Sequence, residues 1–193
     1  KLKVEEGLFI AGEGGPVNIT QTGDFNVISK GRILLLRDSN CPIPNVAIHE
    51  LLHVLGFDHI DNSKSIMYPV SNCDQEIDNE IIKRINEIYL VQNYPDLAFE
   101  NVYANMHGKY LNLNLSIRNI GLSTAPSSKI MIYADQDLAK EFEVDSLEIG
   151  HGKVIFLTNI WVNKFSVKEL KIAIESQFSE LKKENNEIIL LIK

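Results

Sequence analysis

The run His49-Glu50-Leu51-Leu52-His53-Val54-Leu55-Gly56-Phe57-Asp58-His59 brings three imidazoles and a carboxylate together at a spacing that suits a metal ion. On a helix, residues four apart stand one turn above each other on the same face. His49 and His53 can therefore aim ring nitrogens at one ion, at about 2.0–2.1 Å. Gly56 permits a sharp turn, and three residues later His59 returns as a third ligand. Three protein ligands leave one tetrahedral position open, which separates a catalytic zinc site from a closed structural one. The expected cofactor is one Zn2+. Zinc brings the pKa of a bound water towards about 7, and Glu50, beside the ligands without having to bind, is placed to take its proton as general base. An H-E-x-x-H pair alone arises readily by chance. The extended pattern fixes five positions at roughly one in twenty each, so a chance match in a chain of this length is on the order of one in ten thousand.

These side chains need a helix beneath them, and the surrounding sequence supplies its signals. Pro42 and Pro44 break the chain, Asn45 is a candidate N-cap, and Val46, Ile48, Leu51, Leu52 and Leu55 recur at helical spacing until Gly56. Before it, residues 8–11, 17–20, 25–28 and 32–36 read as four short strands separated by Gly-rich turns. A second helix is expected from Asp74, capped by that residue. Its Ile77, Ile81, Ile85 and Ile88 form a stripe to pack beneath the first helix, and Glu76 and Asp78 suit its positive end.

After Pro95 the period changes from helical to alternating. Leu111, Leu113, Leu115 and Ile117 interleave with Asn112, Asn114, Ser116 and Arg118, the pattern of a strand with one face buried. Further strands are expected at residues 97–103, 129–134, 142–144, 153–160, 167–175 and 187–192. Seven short strands with turns between them predict an immunoglobulin-like sandwich. The boundary between the halves falls at residues 93–96, giving domains 1–94 and 95–193.

The 193 residues are 45% apolar and 23% charged, enough apolar material for a folded core. The net charge is −7, with acid concentrated at Glu5, Glu6, Asp58, Asp61 and residues 74–80, which excludes nucleic acid as a natural partner. No apolar run approaches the roughly 18 residues of a membrane-spanning helix. The chain starts at Lys1 with no signal peptide, so a leader or pro-region removed upstream is expected.

Downstream of His59 stands Ser65-Ile66-Met67-Tyr68-Pro69, which resembles the Met-turn of the metzincins. With H-E-x-x-H-x-x-G-x-x-H it makes that family's signature, and the Met-Tyr-Pro order is closest to the matrixins. The resemblance implies an α+β zincin-type catalytic domain acting as a zinc-dependent endopeptidase on protein or peptide substrates. It also implies that Met67 forms an apolar floor under the metal. Pro69 stands where some metzincins carry a tyrosine ligand, so none is expected, and Ile60 replaces the Ser usual after the third His in matrixins. Only 48 residues precede His49, so the domain is either minimal or lacks its N-terminal part. In this class the strand before the zinc helix edges the cleft and an extended peptide adds to it, a role that falls to Arg32, Ile33, Leu34, Leu35 and Leu36; an ordinary interior strand is the alternative.

Cys41 and Cys73 flank the site and can be read as zinc ligands, a latency switch, a disulfide or free thiols. The three-His set needs no thiolate and neither Cys lies in a pro-segment motif. A disulfide is the reading chosen, and it suits an oxidising exterior. His107 and His151, each beside a Gly, read as surface residues. Asn18-Ile19-Thr20 and Asn114-Leu115-Ser116 match the glycosylation acceptor pattern.

The second half resembles the bacterial and archaeal cell-adhesion-related module, CARDB. The residues concerned are Pro95-Asp96-Leu97, Arg118-Asn119-Ile120-Gly121, Leu147-Glu148-Ile149-Gly150 and Glu184-Asn185-Asn186-Glu187. The resemblance implies an extracellular or cell-envelope setting and a cell-surface or extracellular ligand for the sandwich. Two functions follow: a secreted peptidase with an accessory sandwich, or an adhesion or binding protein whose zinc is inactive or structural. An unligated Glu50 beside an open coordination position favours the first.

Overall fold

The computed structural model describes residues 8–37 and 40–192; Glu5 and Glu6 of the acidic set lie outside them. The chain forms two compact units. One is built from residues up to Thr20 and from Val27–Val91, the other from Gln21–Asn26 and from Gln92 onward. Among the described residues no helix is long and apolar enough to cross a membrane.

The stretch before the zinc-motif helix differs from the pattern of four short strands. Two long strands, β1 (Gly12–Thr22) and β2 (Phe25–Leu35), pair as a two-stranded sheet. Gly14, Gly15 and Pro16 lie inside β1 and Gly31 inside β2, so these residues do not mark turns. Pro is tolerated in β1 because the strand is at a sheet edge and one row of its N–H groups has no ladder to serve. Gly23, at φ +50°, makes the reversal between the strands.

Helix α1 spans Asn45–Val54. Asn45 is its first residue and not its cap: Pro44 holds the cap position, and the Asn45 amide donates to Asn72 O at 2.7 Å. Gly56, at φ +89°, ends the helix in the left-handed conformation that β-carbons resist. Helix α2 begins later than expected, at Asn79, and runs to Leu90. Asp74 is therefore outside it, and Asp78 at the cap position turns its carboxylate to the Ser65 hydroxyl. The core of this unit joins Leu52, Ile66, Met67 and Ile81, flanked by Ile48, Phe57, Ile60 and Ile85. Of the isoleucine stripe only Ile81 and Ile85 take part, while Ile77 and Ile88 are exposed. Leu51 and Leu55 of α1 are exposed as well.

The second unit contains a strand at each of the seven expected places. These are β3 (Leu97–His107), β4 (Tyr110–Asn119), β5 (Ser128–Ala134), β6 (Asp137–Val144), β7 (Gly152–Trp161), β8 (Glu169–Glu175) and β9 (Glu187–Leu191). They form a three-stranded sheet in the order β3-β4-β7 and a four-stranded sheet in the order β6-β5-β8-β9. Leu111, Leu113, Leu115 and Ile117 from one sheet meet Ile130, Ile132, Leu170 and Ile172 from the other in a single core. This is a β-sandwich, and strand structure dominates the chain as a whole.

A buried polar knot closes one end of the sandwich. The Asn119 side-chain oxygen accepts from the N–H groups of Asp96 and Gly121, at 3.2 and 3.1 Å, and its amide donates to Ser123 O and Leu147 O, at 2.8 and 2.9 Å. Asn185 donates to the Asp96 carboxylate at 2.8 Å, while Glu180 accepts from Leu97 N at 2.8 Å and from Asn186 at 2.9 Å. Burial pushes the Asp96 carboxyl above the usual carboxylate range, against the lowering effect of Asn185. Asn119 alone uses four hydrogen-bonding sites on four backbone groups, and removal would strand several of them away from water at about 1–3 kcal/mol each. Asn119→Ala is expected to destabilise the sandwich by at least about 2 kcal/mol. Urea unfolding followed through Trp161, the single tryptophan of the chain, reads this unit directly; an unchanged midpoint would contradict it.

Candidate metal centre

Helix α1 presents His49 and His53 one turn apart, and the turn at Gly56 returns His59 to them. The three Nε2 atoms form a triangle with sides of 3.0, 3.1 and 3.2 Å. Among the described residues these three form the group of His, Cys, Asp and Glu side chains close enough to hold one metal ion. His49 Nδ1 lies 2.7 Å from Ile66 O, and His53 Nδ1 lies 2.8 Å from Phe57 O. A carbonyl accepts only, so each Nδ1 carries a hydrogen, and in the neutral ring that leaves each Nε2 a bare lone pair. Two lone pairs 3.0 Å apart repel. A cation is the partner that reconciles them, and a tetrahedral zinc with bonds of about 2.0–2.1 Å separates its nitrogens by about 3.3 Å. The donor set thus fits zinc in type and spacing. Carbonyl contacts of this kind also fix the orientation of metal-binding rings.

The His59 pKa is lowered, first by burial and then by the neighbouring His53 and His49, with Asp58 opposing. Burial and the two neighbouring rings favour the neutral ring, the form that binds metal, while Asp58 favours the charged one.

Segment 65–68 turns beneath the triad. Ser65 Oγ, held by the Asp78 carboxylate, accepts from Met67 N at 3.0 Å, and Tyr68 N donates to Ser65 O at 3.1 Å. Met67 is 0% exposed and its carbonyl accepts from Ile60 N at 2.9 Å. The turn therefore positions two of the three histidines through backbone atoms: His49 through Ile66 O, and His59 through the neighbouring Ile60.

Glu50 lies on α1 beside His49 and is only 7% exposed. It is covered by β1. A β-carbon at Gly12 would stand 2.8 Å from Glu50 Cγ and 2.9 Å from Oε1, and one at Gly14 would stand 2.2 Å from Glu50 O. One at Gly31 of β2 would stand 2.2 Å from Val54 Cγ1. Val46, Glu50 and Val54, each four residues apart, are the face that α1 turns to the glycines of the hairpin. These glycines were missed as part of the site, because in sequence they look like turn formers; the G-E-G-G run of residues 12–15 is the signal they offer.

A groove of about 680 Å³ runs over the three histidines and Glu50. One wall is residues 8–14, with Leu36 and Arg37 against them, Leu36 N donating to Ala11 O at 2.9 Å and Arg37 lying over the Phe9 ring; the other is residues 69–73. Of residues 32–36, only Leu36 reaches the groove. The wall at 69–73 is fastened to the start of α1 by the disulfide Cys41–Cys73, Cα atoms 5.1 Å apart, and by the Asn45 bond to Asn72. Buried Gln75 braces it from behind through Asn72 N at 3.0 Å and Val70 O at 2.9 Å. His107 and His151, in the second unit, are both exposed.

Residues 12–90 match the family model of matrixin, and residues 94–189 match that of CARDB. No curated protein matches the chain. Among solved structures, a crystal structure of the CARDB domain of a Pyrococcus furiosus protein, in complex with di-metal ions, is 20% identical. It covers 52% of this chain and 93% of its own, with a TM-score of 0.44. A solution structure of the same domain gives 20% identity, coverage of 51% and 94%, and a TM-score of 0.43. β-Glucosidase 3B from Thermotoga neapolitana, in complex with α-D-glucose, is 15% identical over 51% of this chain and 17% of that one, with a TM-score of 0.33. The chain thus joins a segment similar to matrixin, at residues 12–90, to a segment similar to CARDB, at residues 94–189.

Proposed function

We propose that the chain is a zinc-dependent endopeptidase in which His49, His53 and His59 hold one Zn2+ and Glu50 is the general base. Residues 1–94 would form a metzincin-type α+β domain and residues 95–193 an immunoglobulin-like accessory domain. The observation that carries this reading is the convergence of three imidazole Nε2 atoms beside a buried carboxylate in one groove. When bound, zinc supplies a Lewis acid for the scissile carbonyl and makes water more acidic. Glu50 takes the proton of the attacking water on a carboxylate oxygen and returns it to the leaving amine. Its cover by β1 holds the carboxylate in place for both transfers. Met67 serves as the apolar floor of the Met-turn.

A peptide would lie in the groove as an extended strand. Among the described residues β1 pairs as a strand with β2 alone, which leaves its other edge to a third strand. The wall at residues 8–14 is the nearer candidate for this pairing, with the 32–36 segment contributing through Leu36. The Cys41–Cys73 disulfide suits a secreted or cell-envelope protein. A binding protein with a purely structural zinc is the competing function, and it gives Glu50 no role.

Glu50→Gln is expected to keep the zinc and lower peptide cleavage by about 10²–10⁴-fold, since an amide cannot accept the proton. Metal content and cleavage of a peptide library, measured together, decide it; undiminished cleavage would remove Glu50 as the base. Gly14→Ala is expected to weaken zinc binding, because its β-carbon meets helix backbone. Gly15→Ala, whose β-carbon meets nothing within 4 Å, should leave zinc binding unchanged. Equal zinc affinities in a competition titration with a chromophoric chelator would contradict the packing argument.

The disulfide closes a loop with a sequence separation of 32 that contains all three histidines. Such a loop is worth roughly 3–4 kcal/mol by chain entropy, and zinc bound inside it stabilises the same segment. Reductant and chelator should each lower the melting temperature of the first unit, and together unfold it while the sandwich stays folded. A calorimetric profile indifferent to both treatments would refute this.

A further inference from the structure

The two outer faces of the sandwich differ in chemistry. On the four-stranded sheet, exposed positions carry Lys129, Glu141, Glu143, Glu175 and Glu187, with Lys129 paired to Glu141 and Lys171 to Glu187. That is an ordinary solvated face. The three-stranded sheet is built otherwise. Tyr103, Asn114 and Phe156 form one cross-strand row, and Asn105 and Asn112 stand opposite each other in another. His107, Tyr110 and Trp161 form a third row. Between the Arg118–Glu100 ion pair at one end and Lys109 at the other, these outward positions carry no Asp, Glu, Lys or Arg, in a chain that is 23% charged.

The aromatic rings on this face are open to solvent: Phe156 is 70% exposed and Trp161 53%. Trp161 stands edge-on to Tyr110 with ring centroids 5.3 Å apart, and Lys109 Nζ sits between the rings of Trp161 and Phe165 at 5.2 and 4.1 Å. A bulge in the pairing of β4 with β7 brings Trp161 to this position. Asn159 takes φ +55° there, and its N–H donates to Asn112 Oδ1 at 2.9 Å. Asn tolerates this left-handed conformation better than other side chains, and bulges of this kind re-aim a side chain beside a functional surface. The side-chain amides of Asn105 and Asn114 make no hydrogen bond among the described residues, so donors and acceptors stand free between the rings.

We propose that this face binds a neutral polysaccharide. A pyranose ring offers an apolar face of C–H groups, which suits an exposed aromatic ring, and a rim of hydroxyls, each both donor and acceptor, which suits amides that are both as well. With Arg118 neutralised by Glu100 and Lys109 the one remaining cation at its edge among the described residues, the face lacks the basic stripe that nucleic acid and acidic polymers need. Asn114 and Tyr110 lie four residues apart on β4, about 13 Å at about 3.3 Å per residue. The Phe156 and Trp161 stations are thus separated along the strand, as an extended oligosaccharide requires and a single sugar does not.

The test is affinity electrophoresis of the full chain in native gels containing hydroxyethylcellulose, galactomannan or xyloglucan, with alginate as the acidic comparison. At least one neutral polysaccharide should retard the protein, and alginate should not. Phe156→Ala and Tyr110→Ala should each weaken retardation about tenfold or more, as loss of an aromatic anchor does, while Lys129→Ala on the opposite sheet should not. Trp161 emission on titration with the retarding polysaccharide reads the same face in the unmutated protein, and a shift is expected even where a variant fails to fold. No retardation by any neutral polysaccharide would overturn the proposal. So would retardation indifferent to Phe156 and Tyr110, or self-association of the chain abolished by Phe156→Ala, which would make the face an interface between copies.

Discussion

The first unit depends on one close approach, that of a glycine-bearing hairpin to helix α1. Helix and strand come so near at Gly14 that a β-carbon would stand 2.2 Å from the Glu50 carbonyl, and at Gly31 one would stand 2.2 Å from Val54. Overlap of that kind cannot be relieved by a rotamer change when the obstacle is backbone. Without the approach Glu50 would be an ordinary exposed helix residue, since it points away from the Leu52 core. With it, Glu50 is buried beside the histidines and the 8–14 segment becomes a wall of the groove.

The approach also explains which parts of the site were legible in sequence. The ligand spacing is a local property: three histidines within eleven residues, linked by one helix turn and one glycine, are fixed by helical geometry alone. The strand alternation of residues 111–117 is likewise local, and all seven sandwich strands could be placed from it and its neighbours. The glycines at 12, 14 and 31 were taken for turns because glycine in isolation marks a turn more often than a contact. Their role is set by residues some twenty to forty positions away, which no local period records. Asn45 was misread as a cap, and Asp78, which does hold the cap position of α2, makes no cap bond, for a related reason. Each has the side chain of a helix cap, but each spends its hydrogen bond on a distant segment, Asn45 on Asn72 and Asp78 on Ser65. Capping preference says that a bond will be made, not with which partner.

In the sandwich the polar knot around Asn119 does for one end what the core does for the middle. Asp96, Asn119, Leu147, Asn185 and Asn186 come from the short runs that resemble the CARDB module, and the structure brings them to one place. Buried amides and carboxylates cost stability unless they are bonded, so a knot in which Asn119 satisfies four backbone groups also selects one arrangement of the strands it joins. Polar residues that look like loop filler in sequence are here a register device.

The two units reach stability by different means. Among the described residues the sandwich core contains seventeen buried apolar side chains, and the core of the first unit four. At roughly 1.5–3 kcal/mol for each large apolar side chain, the smaller core offsets far less of the entropy of ordering its chain. The first unit compensates with constraints: a disulfide, backbone bonds from the 65–68 turn to the histidine segment, and three converging imidazole nitrogens that a cation can join. The candidate metal site is therefore part of the structure that positions it. A change that loosens the hairpin, the disulfide or the turn should be felt at the histidines before it is felt in the sandwich, because in the first unit little apolar packing stands in reserve.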